Sequence, residues 1–197
     1  GISFINFKNE LYRLKIFGDH NLQNISGALN ICKALGVESE DFYNAITSFN
    51  GASNRLELVY KSLDSIIFKD FAHSPSKVKA TTEAVRKQFP NRKLISFFEL
   101  HTYSSLNPLF LEKYRDTLKH SDECYIYYSE KNMRIKRLEP IDSELILKSF
   151  NHSSLTVIDN YEKLNEKIHD LDLSNSVLLM MSSGKFGGLD IDKIKKS

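Results

Sequence analysis

The segment SIIFKDFAHSPSKVKATTEAVRKQF, residues 65–89, joins a short apolar run to a polar turn and then to a helical pattern. A continuous apolar run of this length is typical of a strand buried on both faces of a sheet. Ser74 and Pro75 suit the start of a helix, because serine caps helices and proline fits their first turn. A helix over residues 75–89 is therefore predicted, with an apolar face made of Val78, Thr82, Val85 and Phe89.

The same alternation of strand and helix continues along the rest of the chain. Strands are predicted for RLELVYKS, SIIFKDFA, KLISFFEL, ECYIYYS, SLTVI and SVLLMM. Helices are predicted near residues 106–118, 143–150 and 161–171, with a short one after SSGKFGG. This order predicts an α/β fold in which helices cover both faces of a mostly parallel sheet.

Residues 1–50 have a different pattern. LYRLKIFG, residues 11–18, alternates like a half-exposed strand, and a helix follows with Gly36 as its C-cap. A second helix near Glu38 is expected to bury Phe42, Ala45, Ile46 and Phe49. Residues 50–54, NGASN, break this pattern and mark a candidate domain boundary.

Composition and motifs exclude several classes of protein. The formal net charge is +2, so bulk charge gives no argument for a nucleic-acid partner, and no apolar run reaches membrane-spanning length. Cys32 and Cys124 are far apart, which favours reduced thiols, and the six histidines show no metal-ligand spacing. The chain contains neither GxSxG nor GxxxxGK[ST], so a serine hydrolase is excluded and a P-loop is not found.

Three polar clusters follow predicted strands: DFAHSP, ELHTYSS and SSGKFGG. Ligands of such sheets bind beyond the carboxyl ends of the strands, so these clusters are candidate site segments. Asp70 could accept a hydrogen bond from a ligand hydroxyl and His73 could donate to an anion. The alternative is that Asp70 is only a turn residue and Ser74 only begins a helix.

The remaining candidates also have structural alternatives. The amides of Asn21 and Asn24 lie on one side of a helix and could contact a purine. The alternative is that they only cap the helix and form part of its solvated face. Arg55 could reach a phosphate, or pair with Glu57 on the surface. His101 could contact a ligand or be a buried loop residue. Lys185 lies in a glycine-bearing loop that could cradle an anion, although such turns are common.

Taken together, GDHNLQNISGAL, FNGASNRLEL and KDFAHSPSKVKATTEAVRKQFPNRKLI resemble segments of the Mur ligases, in the same order and spacing. These are ATP-dependent enzymes that form amide bonds in peptidoglycan synthesis. The resemblance implies that residues 1–50 are the end of the central ATPase domain. It implies that residues 51–197 are the whole C-terminal Rossmann-like domain, so the chain is expected to be a piece of a longer enzyme.

The resemblance also implies residue roles. On the nucleotide side are Asn21 and Asn24, near the adenine, and Arg55 and Asp70, near the phosphates and ribose. On the side of the incoming amino acid or peptide are His73, Ser74, His101, Ser183 and Lys185. No catalytic residue and no metal ligand is expected in this part of the enzyme.

The implied reaction uses ATP and Mg²⁺, with UDP-N-acetylmuramate and an amino acid or murein peptide as substrates, in the bacterial cytoplasm. It requires neither a nucleic acid nor a membrane. The chain alone is expected to be inactive and to bind ATP weakly or not at all, because it has no P-loop lysine.

Two segments bear on the acceptor. Thr102 stands where the alanine-adding branch of the family carries an arginine after its histidine. LLMMSSGKFGGLD is more similar to the branch that joins muramate to the recycled tripeptide L-Ala-γ-D-Glu-meso-diaminopimelate. An L-alanine-adding ligase and a non-catalytic Rossmann-like module that binds a small anion remain open alternatives.

Overall fold

A computed structural model describes residues 2–194, so residue 1 and residues 195–197 of the predicted domains lie outside the described part. Within it the chain forms eight strands and seven α-helices. The strands are β1 (Ser3–Phe7), β2 (Glu10–Leu14), β3 (Glu57–Lys61), β4 (Ser65–Asp70), β5 (Lys93–Glu99), β6 (Glu123–Tyr127), β7 (Leu155–Ile158) and β8 (Ser176–Met181).

The α-helices are α1 (Asp19–Ala34), α2 (Ser39–Ile46), α3 (Pro75–Gln88), α4 (Pro108–Leu111), α5 (Glu130–Ile135), α6 (Ser143–Phe150) and α7 (Tyr161–His169). Three short 3₁₀ segments are Glu112–Tyr114, Phe186–Gly188 and Ile191–Lys193.

Six strands form one sheet in the order β3-β4-β8-β5-β6-β7. All neighbouring pairs are parallel except β3 and β4, which form an antiparallel hairpin. Since β8 lies between β4 and β5, the three polar clusters that follow these strands meet at one edge. The predicted mostly parallel sheet is confirmed, and so is the shared edge.

Both faces of the sheet are covered, as predicted. Along β5, Leu94 and Phe98 face a core shared with α3 and α6, whereas Ile95 and Phe97 face a second core shared with α7. Successive residues of a strand point to opposite faces, and all four side chains are buried because both faces are covered.

Residues 3–46 form a smaller unit in which the β1–β2 hairpin packs against α1 and α2. Its own core contains Leu14, Ile25 and Phe42. Phe17 connects this unit to the large sheet, since its ring lies 5.4 Å from that of Phe68. That the two units belong to two different domains stays a prediction.

Two of the predicted buried positions in α2 are wrong. Ala45 is exposed, and Phe49 is 42% exposed because the helix ends at Ile46, before the turn that would bring Phe49 to the apolar face. The predicted strand 11–18 also ends early, at Leu14.

The long helix predicted over residues 106–118 is wrong. After α4 and one 3₁₀ turn, the backbone leaves the helix at Arg115, and Asp116 adopts a positive φ of 59°. Two tertiary contacts favour this bend: the Asp116 amide donates to the Phe150 carbonyl, and the Tyr114 ring stacks on Phe150.

Candidate functional site

Asp70 ends β4 and fixes the loop that precedes β3. Its carboxylate accepts hydrogen bonds from the Leu56 and Ala72 amides, both at 2.7 Å, and the side chain is 7% exposed. Burial raises the pKa of Asp70, against these hydrogen bonds and the nearby charges of His20 and Arg55. Asp70 therefore holds the segment that presents Arg55, and its contact with a nucleotide stays a prediction.

Arg55 lies in a tight loop and extends over an aromatic ring. The residues on either side of it, Asn54 and Leu56, have positive φ angles of 54° and 45°. Its guanidinium carbon is 5.2 Å from the centre of the Phe71 ring, and that ring meets His73 edge-on at 5.1 Å. Sequence reasoning missed Phe71, whose only signal was an aromatic residue directly after Asp70.

A pocket of about 660 Å³ separates the first unit from the sheet, and we call it the interunit pocket. Asn21 and Arg55 both line it, together with Phe17 and Phe89. The Asn21 amide nitrogen donates to the Phe17 carbonyl at 2.8 Å, which fixes the orientation of this side chain. Asn24 is exposed and does not line the pocket, so the structure brings together only one of the two predicted asparagines with Arg55.

Glu99 ends β5 and is the second buried carboxylate of this edge, with 2% of its surface exposed. It accepts hydrogen bonds from the Ser182 hydroxyl and, at 2.9 Å, from the Phe186 amide. Its other oxygen lies 3.6 Å from Nδ1 of His101. Glu99 therefore holds the loop after β8 and lies beside His101; sequence reasoning missed this carboxylate, whose only signal was its place at the end of an apolar strand.

A second pocket of about 630 Å³, the edge pocket, opens beside Glu99. Three predicted substrate-side residues line it: His101, Ser183 and Lys185. The Ser183 hydroxyl is buried and has no hydrogen-bond partner among residues 2–194. Phe71 lines this pocket from the β4 side.

The other two predicted substrate-side residues, His73 and Ser74, do not line the edge pocket. Nδ1 of His73 donates a hydrogen bond to the Phe71 carbonyl at 2.9 Å. Ser74 occupies the N-cap position of α3, yet its side chain makes no capping hydrogen bond. Their roles toward a substrate stay predictions.

Gly184 allows the loop to pass close to Glu99 and His101. A Cβ there would lie 2.7 Å from a Glu99 oxygen and 2.7 Å from the His101 ring, whereas one at Gly27, in α1, would meet no atom within 4 Å. Gly184→Ala is therefore expected to lower the free energy of unfolding by about 1–2 kcal/mol, since overpacking strains a well-packed site. The control Gly27→Ala should raise it by about 0.5–1 kcal/mol, because alanine favours a helix interior. Urea unfolding measures both, and equal effects would contradict the close packing.

In residues 2–194, no group of three or more histidine, cysteine, aspartate or glutamate side chains is placed to hold a metal ion. No helix in that range is long and apolar enough to cross a membrane.

The fold defines a class of protein: a Rossmann-like domain with one pocket at its strand ends and another against a preceding unit. No family model matches the sequence. The chain is 26% identical over 190 residues to the UDP-N-acetylmuramate–L-alanine ligase of Roseiflexus sp., covering 94% of this chain and 40% of the relative.

Solved structures share the fold. The UDP-N-acetylmuramate–alanine ligase of Thermotoga maritima superposes with a TM-score of 0.70 at 17% identity, over 90% of this chain and 37% of that one. The murein peptide ligase of Psychrobacter arcticus superposes with a TM-score of 0.63 at 21% identity, over 91% of this chain and 37% of that one. The chain is a homologue of the Mur ligases, and its sheet has the fold of their C-terminal domain.

Proposed function

We propose that this chain is part of an ATP-dependent ligase that joins the carboxyl group of UDP-N-acetylmuramate to the amine of a murein peptide. The observation that carries the proposal is the position of Arg55 and Phe71. Arg55 lines the interunit pocket, Phe71 lines the edge pocket, and the two side chains are in contact. A nucleotide in the interunit pocket and an acceptor in the edge pocket would therefore be separated by the contact between Arg55 and Phe71.

The chemistry has two steps. The muramate carboxylate attacks the γ-phosphorus of ATP, which gives an acyl phosphate and ADP. The acceptor amine then attacks the acyl carbon, phosphate leaves with one former carboxylate oxygen, and the amine loses a proton. Positioning supplies much of the catalysis in reactions of this kind.

This chain's residues bind and orient in that scheme. Asn21 and Arg55 would contact the nucleotide, and His101, Ser183 and Lys185 would contact the acceptor. Mg²⁺ would neutralise the triphosphate charge, but residues 2–194 offer no cluster of ligands for it, so we assign it none of them. Because ATP and UDP-sugars are cytoplasmic metabolites, we place the reaction in the bacterial cytoplasm.

Two acceptors are compatible with this site. Thr102 and the SSGKFGG loop support a peptide, because the resemblance associates an arginine in place of Thr102 with alanine addition. L-Alanine is the second candidate, since relatives across 94% of this chain are named L-alanine ligases.

The test uses the full-length protein, because the chain spans 40% of the length of these relatives. ATP and UDP-N-acetylmuramate are supplied with either L-Ala-γ-D-Glu-meso-diaminopimelate or L-alanine, and phosphate release is measured. We expect phosphate release when UDP-N-acetylmuramate and an acceptor are both present, and a faster release with the tripeptide than with L-alanine. A faster rate with L-alanine would favour the second candidate, and no release with either would refute the ligase assignment.

A further inference from the structure

A third pocket, of about 450 Å³, lies at the ends of β6 and β7, and we call it the far pocket. It is lined by Tyr127, Ser129, Glu130, Lys131, Asn132, Asp159, Asn160, Tyr161, Glu162 and Gly187. No predicted site residue belongs to it. It therefore adds a region of the carboxyl edge that the residue roles above leave unused.

The far pocket adjoins the edge pocket. Asn132 and Gly187 line both of them. Gly187 has a φ of 68°, and a Cβ there would lie 2.6 Å from the Tyr127 hydroxyl and 3.0 Å from the Tyr161 ring. The loop after β8 can thus pass close to Tyr127 and Tyr161, between the two pockets, only because this residue is a glycine.

The polar groups of the far pocket are held by their own hydrogen bonds. Ser129 accepts from the Asn132 amide at 3.2 Å. Asn160 accepts from the Lys163 amide at 2.9 Å and donates to Asp159 at 2.8 Å. Such fixed side chains form a surface that needs little reorganisation to bind a ligand.

The dimensions favour an extended ligand. From β8 to β7 the sheet crosses β5 and β6, which is about 14 Å at the usual spacing between strands. One amino acid cannot reach across this distance, whereas the backbone of three extended residues covers about 10 Å of it and a long side chain on the last residue extends further.

We propose that the edge pocket and the far pocket form one groove for a short peptide acceptor. The reacting amine lies in the edge pocket near Phe71, and the last residue, which carries an ammonium and two carboxylates, lies in the far pocket. Within the far pocket, Asp159 pairs with Lys163 and Glu130 with Arg134, so Glu162 is the carboxylate that we assign to the ammonium and Lys131 the cation that we assign to a carboxylate of that residue. This inference rests on the proposed function and names the part of the acceptor that the far pocket recognises.

A charge reversal tests the groove in the full-length protein. Glu162→Lys is compared with Glu166→Lys, an exposed residue one turn along α7 that does not line the pocket. The acceptors are the tripeptide and the dipeptide L-Ala-γ-D-Glu, which lacks the diamino residue. We expect Glu162→Lys to lower kcat/KM about tenfold for the tripeptide, which corresponds to about 1.4 kcal/mol, and less than about twofold for the dipeptide. Glu166→Lys should change neither.

Other outcomes are separable. An equal fall for both acceptors, or no fall for either, would overturn the groove while leaving ligase activity intact. No phosphate release by the wild-type protein would instead refute the proposed function. In that case, calorimetric titration of the two peptides into the two variants decides the groove by itself: weaker tripeptide binding only in Glu162→Lys supports it, and any other pattern contradicts it.

Discussion

Replacing Asp70 by alanine is expected to lower the free energy of unfolding by about 3 kcal/mol, because two buried backbone donors lose a charged acceptor. These donors are the amides of Leu56 and Ala72. Leu56 also has a positive φ, so the loop that carries Arg55 depends on this contact. Urea unfolding measures the loss, and we expect Asp70→Asn to lose about half as much, since an amide keeps one acceptor oxygen.

A matched control separates this effect from the loss of any carboxylate near β4. Asp192 pairs with Lys69 at 3.4 Å, and its side chain is 69% exposed. Asp192→Ala should cost less than about 1 kcal/mol, as exposed ion pairs usually do. If Asp70→Ala costs no more than Asp192→Ala, the carboxylate does not hold the loop.

The effect of Asp70 should also depend on pH. Since burial raises its pKa in the folded chain, one part of its contribution to stability depends on protonation; that part is complete below the unfolded pKa and is lost as the pH rises through the folded pKa. The difference in unfolding free energy between wild type and Asp70→Ala is therefore expected to be larger at about pH 4 than at about pH 7. The opposite trend would show that the pKa is lowered instead.

Replacing Glu99 by alanine is expected to cost about 3 kcal/mol as well, because the Ser182 hydroxyl and the Phe186 amide lose their shared acceptor. We expect the loop after β8 to open locally more often, in addition to the fall in global stability. Hydrogen exchange at the Phe186 and Gly184 amides is expected to accelerate more than exchange in β5, since Ser182 in turn accepts from the Gly184 amide.

Glu123 provides the comparison for Glu99. It lies at the start of β6 and pairs with Lys93 at 2.7 Å, with about a third of its side chain exposed. Glu123→Ala should cost about 1 kcal/mol or less and leave the loop after β8 protected. Unchanged exchange at Phe186 in Glu99→Ala would contradict the proposed anchoring.

The strands β4, β5, β6 and β8 were predictable because each is a mostly apolar run that the sheet buries on both faces. The same logic failed for residues 106–118, where apolar residues at helical spacing contact several partners. The stacking of Tyr114 on Phe150 and the bond from Asp116 to Phe150 bend the chain, and neither is visible locally. The helix α5 was missed since its six residues bury only Met133.

The sequence predicted that the candidate site lies at the carboxyl edge of the sheet, but it did not predict the contacts within the site. The order of polar clusters placed His101 and Lys185 at strand ends that the sheet brings together. It could not show that Asp70 and Glu99 would be buried under backbone donors from distant segments. Local sequence does not record which amide folds back onto a carboxylate, so positioning roles emerge only from the structure.

The most direct test of the ligase assignment follows the oxygen atoms. UDP-N-acetylmuramate labelled with ¹⁸O in its muramate carboxyl group is incubated with the full-length protein, ATP and the tripeptide. An acyl phosphate intermediate predicts that each phosphate released carries one ¹⁸O atom, detected by its mass or its ³¹P shift. Unlabelled phosphate would show that water attacks ATP directly, and would contradict the account.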